Sequence, residues 1–92
     1  MEIKQTDNGA KGSFFIELEG RVVAAMTYTY AGASRIIIDH TEVSEALKGQ
    51  SIGKQLLMKL VDFARKNKLT VLPLCPFAKS VFEKLPTISD VL

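Results

Sequence analysis

The spacing of apolar residues changes once along this chain, near residue 44, and that change limits what it can fold into. Up to Val43 the apolar residues fall in short β-branched and aromatic runs separated by turn residues, the pattern of strands. From Ile52 they recur at helical spacing, with Leu56, Leu57, Leu60, Val61, Phe63 and Ala64 on one side and Lys54, Lys59, Asp62, Arg65 and Lys66 on the other. Strands are predicted at 2–5, 13–18, 21–30 and 34–43. Thr6-Asp7-Asn8-Gly9 and Gly12 are read as the turn after the first, and Glu19-Gly20 as a hairpin turn. The run Ile36-Ile37-Ile38 suggests a central strand covered on both faces. A helix over 52–67 closes at Asn67 and Lys68. A buried strand over 70–74 follows, then a second helix that starts at Pro76 and is stopped by Pro86. Ile88 and Val91 then dock the tail.

The predicted order is four strands, helix, strand, helix. Strand 34–43, helix 52–67 and strand 70–74 form a βαβ unit with parallel strands. The fold class is therefore α+β, a mixed and mostly antiparallel sheet with two helices packed on it. Residues 1–92 are read as a single domain, in which 47% apolar residues suffice for a core and 24% charged residues keep it soluble. A net charge of +2, spread along the chain, is too weak and too scattered for a nucleic-acid binder. No apolar run approaches the ~20 residues needed to cross a bilayer, and the opening Met1-Glu-Ile-Lys-Gln has no signal-peptide pattern. One cysteine excludes an internal disulfide and suits a reducing compartment, so a cytoplasmic location is expected; no Cys/His cluster has metal-ligand spacing.

Three segments carry candidate chemistry. Leu47-Lys48-Gly49-Gln50-Ser51-Ile52-Gly53-Lys54 joins a strand to a helix. Its glycines allow a tight curl, and a helix start offers unpaired N–H groups with about half a positive charge, which favours an anion such as a pyrophosphate. An ordinary Gly-containing loop is the other reading. His40, the only histidine, ends the predicted central strand; it is either an imidazole bonded to backbone or a general base. Cys75, the only cysteine, precedes a helix start; it is either a buried filler or a thiol tuned toward thiolate. Tyr28 and Tyr30 share a strand face and are read as packing in preference to lining an acceptor site.

Lys48-Gly49-Gln50-Ser51-Ile52-Gly53 resembles the acetyl-CoA loop of the GNAT (N-acetyltransferase) superfamily, Arg/Gln-x-x-Gly-x-Gly/Ala. Lys48 stands where Arg or Gln is usual, and Ser51 replaces the first motif glycine. Ser51 retains the backbone N–H that binds phosphate and can cap the helix, so binding survives on condition that its φ stays negative. Cys75-Pro76-Phe77-Ala78-Lys79-Ser80-Val81-Phe82-Glu83-Lys84 is similar to the GNAT stretch Asn-x-x-Ala-x-x-Leu-Tyr-Glu-Lys, with Cys75 in the Asn position and Phe82 in that of the Tyr that often serves as general acid. With His40-Thr41-Glu42-Val43, the loop and Cys75-Pro76-Phe77 in order, the chain resembles a small, truncated GNAT-like family.

That resemblance implies strands 34–43 and 70–74 that splay to admit the pantetheine arm. It implies acetyl-CoA held by Val43, Lys48, Gly49, Gln50, Ser51, Ile52, Gly53, Lys54 and Phe77. His40 and Cys75, both late in adjacent strands on the side where such sheets bind ligands, are read as a nucleophile–base pair. The acceptor would be an amine, a thiol or a protein lysine, and the protein a monomer or weak homodimer. A non-catalytic acetyl-CoA sensor or interaction module is the alternative.

Overall fold

The computed structural model describes residues 1–92. Its elements are β1 (Lys4–Asp7), β2 (Lys11–Leu18), β3 (Arg21–Tyr30), β4 (Arg35–Val43), a 3₁₀ turn at Glu45–Leu47, α1 (Ile52–Lys66), β5 (Thr70–Pro73), α2 (Pro76–Lys84) and a last 3₁₀ segment at Pro86–Val91. The five strands form one sheet in chain order, antiparallel from β1 to β4 and parallel between β4 and β5. The α+β architecture is therefore as the sequence predicts.

The first turn lies later than expected. β1 runs through Asp7, because that carboxylate is held in place: it accepts from the Gly9 N–H at 2.8 Å, the Tyr28 hydroxyl at 2.6 Å and the Tyr30 hydroxyl at 2.7 Å. Gly12 is not a turn residue. It sits in β2 opposite Asp7 and Tyr28, where a Cβ would collide with the Tyr28 ring. The tyrosines thus pack and anchor, and the carboxylate beside it keeps the Tyr30 phenol protonated, its pKa pushed up to about 12 by desolvation first and Asp7 second.

One face of the sheet makes the core. Phe14, Ile16, Met26, Tyr28, Ile36, Ile38 and Val71 alternate inward and meet Leu56, Leu57, Leu60, Val61 and Ala64 of α1, with Ala78 and Phe82 of α2 in the same cluster. The β4 run is covered on that side only, in contrast to the expectation of two covered faces. Ile36 and Ile38 are fully buried, while Ile37 is half-buried and its β5 partner Leu72 is exposed. The helix α1 ends in a paired turn: Leu69 N–H donates to the Ala64 carbonyl at 2.8 Å and Lys68 N–H to that of Arg65 at 3.3 Å, with Lys68 left-handed. Arg65 then grips Asp90 through two hydrogen bonds of 2.8 and 3.0 Å, holding down the tail whose Ile88 and Val91 are buried.

Two local features of β4 position the candidate site. The β4–β5 pairing stops after Ile38 and Pro73, where the Ile38 carbonyl accepts from both the Leu74 and the Cys75 N–H at 3.2 Å. Beyond this fork β4 continues alone to Val43. At the same place β4 carries a bulge: Tyr28 faces Ile38 but Thr27 faces His40, leaving Asp39 as the extra residue.

Candidate functional site

Past the fork, β4 presents an unpaired edge. The Ser44 N–H donates to the Val23 carbonyl at 2.8 Å. Hydrogen-bonded pairs alternate along an antiparallel ladder, so Glu42 and His40 bond to β3 while Thr41 and Val43 turn their N–H and C=O groups toward the gap on the β5 side. An extended chain bearing amides can pair there as an added strand would.

The gap leads to the loop before α1. The 3₁₀ turn Glu45–Leu47 buries Leu47 beneath it, and Lys48 Nζ meets Glu45 Oε1 at 2.8 Å. Gly49 has φ +86° and Ser51 φ +57°. The backbone N–H groups of residues 49–54 find no acceptor anywhere in the chain's hydrogen bonds. Free N–H groups ahead of a 15-residue helix are an anion site in waiting. A cleft of about 260 Å³ opens over them. Val43, Lys48, Gly49, Ser51, Ile52, Gly53 and Phe77, which the resemblance implies in coenzyme binding, line it together with Thr41 and Leu47, for which the sequence implies no role. Gln50 and Lys54 are elsewhere. The Gln50 carbonyl takes the Gln55 amide at 3.1 Å, and Lys54 stands on the outer side of α1.

Ser51 departs from expectation. Its φ is positive and its side chain makes no capping bond, so the loop keeps the left-handed bend that a glycine would supply and forces serine into it. Holding a β-carbon there costs about 1–2 kcal/mol. Ser51→Gly is therefore expected to raise the thermal midpoint by roughly 2–8 °C, from the ~0.5–1 kcal/mol left after glycine's greater unfolded-state freedom is subtracted. Scanning calorimetry checks this, and an unchanged or lower midpoint contradicts the strain.

Gly53 is required by contact, because Phe77 lies across the first turn of α1. A Cβ at residue 53 would stand 2.6 Å from Phe77 Cζ and 2.9 Å from Cε2.

Cys75 sits at the fork, 6% exposed, its thiol 3.3 Å from Thr41 Oγ1. Burial pushes the thiol up, but the Thr41 hydroxyl, followed by the N–H groups of Ala78, Phe77 and Thr41, favours the thiolate more, and the net result is a pKa below the usual value. The α2 N–H groups face the sulfur too loosely to count as a capping bond. His40 does not join it. The bulge at Asp39 turns His40 toward the helix-free face, where Nε2 meets Glu42 Oε1 at 3.1 Å with the side chain 65% exposed, while Thr41 turns to the Cys75 side. The expected Cys75–His40 pair is thus not formed; Thr41 is the partner of Cys75. Phe82, in the position of the resemblance's tyrosine, is buried in the core.

Comparison with known proteins agrees with this geometry. A family model described as GCN5-related N-acetyl-transferase matches residues 13–91. Protein NATD1 of Danio rerio is 31% identical over 74 residues, covering 79% of this chain and 67% of that protein. A GCN5-like protein from Staphylococcus aureus, determined in solution by NMR, superposes with a TM-score of 0.75 at 41% identity, over 98% of this chain and 85% of that one. The ribosomal-protein-alanine N-acetyltransferase of Brucella melitensis superposes with a TM-score of 0.69 over 85% of this chain but only 62% of its own. At 18% identity that likeness concerns the fold alone.

Proposed function

Because the chain belongs to the GCN5-related N-acetyltransferase family, we propose that it binds acetyl-coenzyme A in the cleft before α1 and passes the acetyl group to an amine. The observation that carries this reading is the arc of unsatisfied N–H groups at residues 49–54, next to the bare β4 edge. The site fits the group. The arc and the helix start would hold the pyrophosphate, the edges of Thr41 and Val43 the pantetheine amides, and Phe77 one wall. When bound, the coenzyme supplies the acetyl group as a thioester, already activated toward amines and thiols.

Cys75 is the nucleophile available where the two strands part. Thr41 steadies its thiolate, and exchange of one thioester for another is close to isoenergetic, so the sulfur can carry the acyl group at little cost. An amine attacking an acetyl group on Cys75 gives its proton to water, because His40, beside Glu42 on the other face, does not reach the sulfur. An unpaired thiol of this kind suits a reducing compartment such as the cytoplasm. Phe82 favours a second reading, in which the cleft binds the donor without turnover as a sensor, since a phenyl ring donates no proton to a leaving thiolate.

The readings separate on incubation with acetyl-coenzyme A. Amide shifts at residues 49–54 are expected on titration, and intact mass should show one added acetyl group that Cys75→Ala lacks. The adduct should form at rates that follow the thiolate fraction, levelling off at a lower pH than for an ordinary cysteine near 8.5. An unmoved loop refutes donor binding. Binding without an adduct refutes the role of Cys75, and binding with no thioester consumed in the presence of amines supports the sensor.

A further inference from the structure

The connection between β1 and β2 reads Asp7-Asn8-Gly9-Ala10-Lys11, exposed throughout and at the opposite edge of the sheet from β5. It closes on the Asn8 side chain. Asn8 Oδ1 accepts from the Ala10 N–H at 2.9 Å and the Lys11 N–H at 2.8 Å, while the intervening Gly9 N–H donates to Asp7 Oδ1 at 2.8 Å. We propose that this turn is a self-modification site, where the Gly9 nitrogen closes on the Asn8 side chain and converts Asn8 to aspartate and isoaspartate.

Such a cyclisation needs an electrophilic carbon, a nitrogen that can shed its proton and a free leaving group. The turn presents all three. Two N–H donors on Oδ1 draw charge from Asn8 Cγ and stay in place for the oxyanion that forms there. The Asp7 carboxylate already holds the Gly9 proton and takes it as the new bond forms. Asn8 Nδ2 bonds to nothing in the chain, so it departs into water. Residue 9 has no Cβ beside the attacking nitrogen, and the space a Cβ would fill is open. The atoms balance: the bond from Gly9 N to Asn8 Cγ forms, the Cγ–Nδ2 bond breaks, and Nδ2 leaves as ammonia with the proton that Asp7 took. Water then opens the cyclic imide. Attack at the side-chain carbonyl gives aspartate, and attack at the main-chain carbonyl gives isoaspartate, which adds a methylene to the main chain. The lengthened turn no longer holds Asp7 where the Tyr28 and Tyr30 hydroxyls reach it at 2.6 and 2.7 Å, so β1 loosens from β2 as the chain ages.

The test follows the full chain during warm incubation at neutral pH, beside a synthetic peptide of residues 4–12 as the unfolded reference. Tryptic peptide 5–11 is weighed for the exchange of NH₂ for OH, and isoaspartate is counted by enzymatic methylation. Conversion should run about tenfold faster in the folded chain than in the peptide. That is below the ~10²-fold of a well-matched general base, because a carboxylate is a weak one and the peptide forms the same contacts part of the time. Asp7→Asn keeps an acceptor oxygen without the charge, and should bring the rate down to that of the peptide. The aged, isoaspartate-bearing fraction should melt below fresh protein. Asn8→Ser keeps a turn-forming oxygen but has no amide to lose, and should show no such drop after the same incubation. Conversion no faster in the folded chain than in the peptide means that the turn shields Asn8, and overturns the proposal. A rate unmoved by Asp7→Asn overturns the part given to that carboxylate, and an unchanged melting point in the aged fraction overturns the loosening of β1.

Discussion

Gly53→Val is expected to weaken binding of acetyl-coenzyme A by at least about a hundredfold while the domain stays folded. The α1 helix begins one residue earlier, so the N–H of Gly53 is among those aimed out of the helix start. A phosphate can use it only by approaching the backbone closely, and residue 53 has no Cβ to obstruct that approach. The Phe77 ring occupies the space a side chain would take, within 2.6 Å of an added Cβ. Valine brings two further carbons, so the ring must swing away. Phe77 is 38% exposed on its other side and lines the cleft, which leaves the cleft as the direction in which it can move. The substitution then blocks the cleft and crowds the N–H groups together. Hydrogen bonds to charged groups are worth about 1.5–3 kcal/mol each, and losing two of them accounts for a hundredfold or more. The fold should lose about 1–3 kcal/mol to overpacking, offset by a few tenths because glycine is itself a poor helix residue, which leaves the domain folded. Calorimetric titration beside circular dichroism reads both quantities. Gly53→Ala should be intermediate. A valine variant that binds as well as the parent would show that no phosphate rests on this turn.

Much of the fold was legible because periodicity and punctuation agree. Glu19-Gly20 sits between two β-rich runs, and α1 carries its apolar stripe from Ile52 to Ala64. Errors arose where side-chain chemistry outweighed propensity. Thr6-Asp7-Asn8-Gly9 reads as a turn, yet Asp7 remains in β1 because two tyrosines from β3 reach back to it. Gly12 reads as punctuation, yet it is a gap beneath an aromatic ring. Neither contact is local, so no window of sequence reports it. Apolar runs also mislead. Ile36-Ile37-Ile38 looks fully enclosed, but β-propensity rewards a half-covered pleat as readily as a buried one.

The site was legible in its backbone and less so in its side chains. Glycine spacing before a helix located the loop, and seven of its expected residues line one cleft. Ser51 shows the limit of that reasoning: the bend matters, and the chain adopts it at a cost with serine in place. The Cys75–His40 pair failed for one reason. Strict alternation from Ile38 puts His40 on the core face with Cys75 and sends Thr41 outward. A single extra residue at Asp39 reverses both, and nothing in the composition of β4 announces a bulge. The signal for Thr41 was present in His40-Thr41-Glu42-Val43, but it needed the register before it meant anything.

The uneven cover of β4 makes a second large prediction, read as a difference between neighbours. Ile38→Ala should cost about 3 kcal/mol and lower the thermal midpoint by roughly 12–24 °C. Its side chain is fully buried, pairs across to Tyr28 and packs in the same cluster as α1, so truncation leaves a cavity under the sheet. In a chain of 92 residues, where total stability is roughly 5–14 kcal/mol, that is a large fraction. Ile37→Ala removes the same atoms one residue away. Its side chain lies on the face without helices, beside exposed Leu72, and about 1 kcal/mol or less is expected. Both substitutions forfeit the same β-branching, so strand propensity cancels and the contrast measures burial alone. Thermal unfolding of the two variants decides it. Equal losses would mean that the second face is covered in solution, by a partner or a second copy.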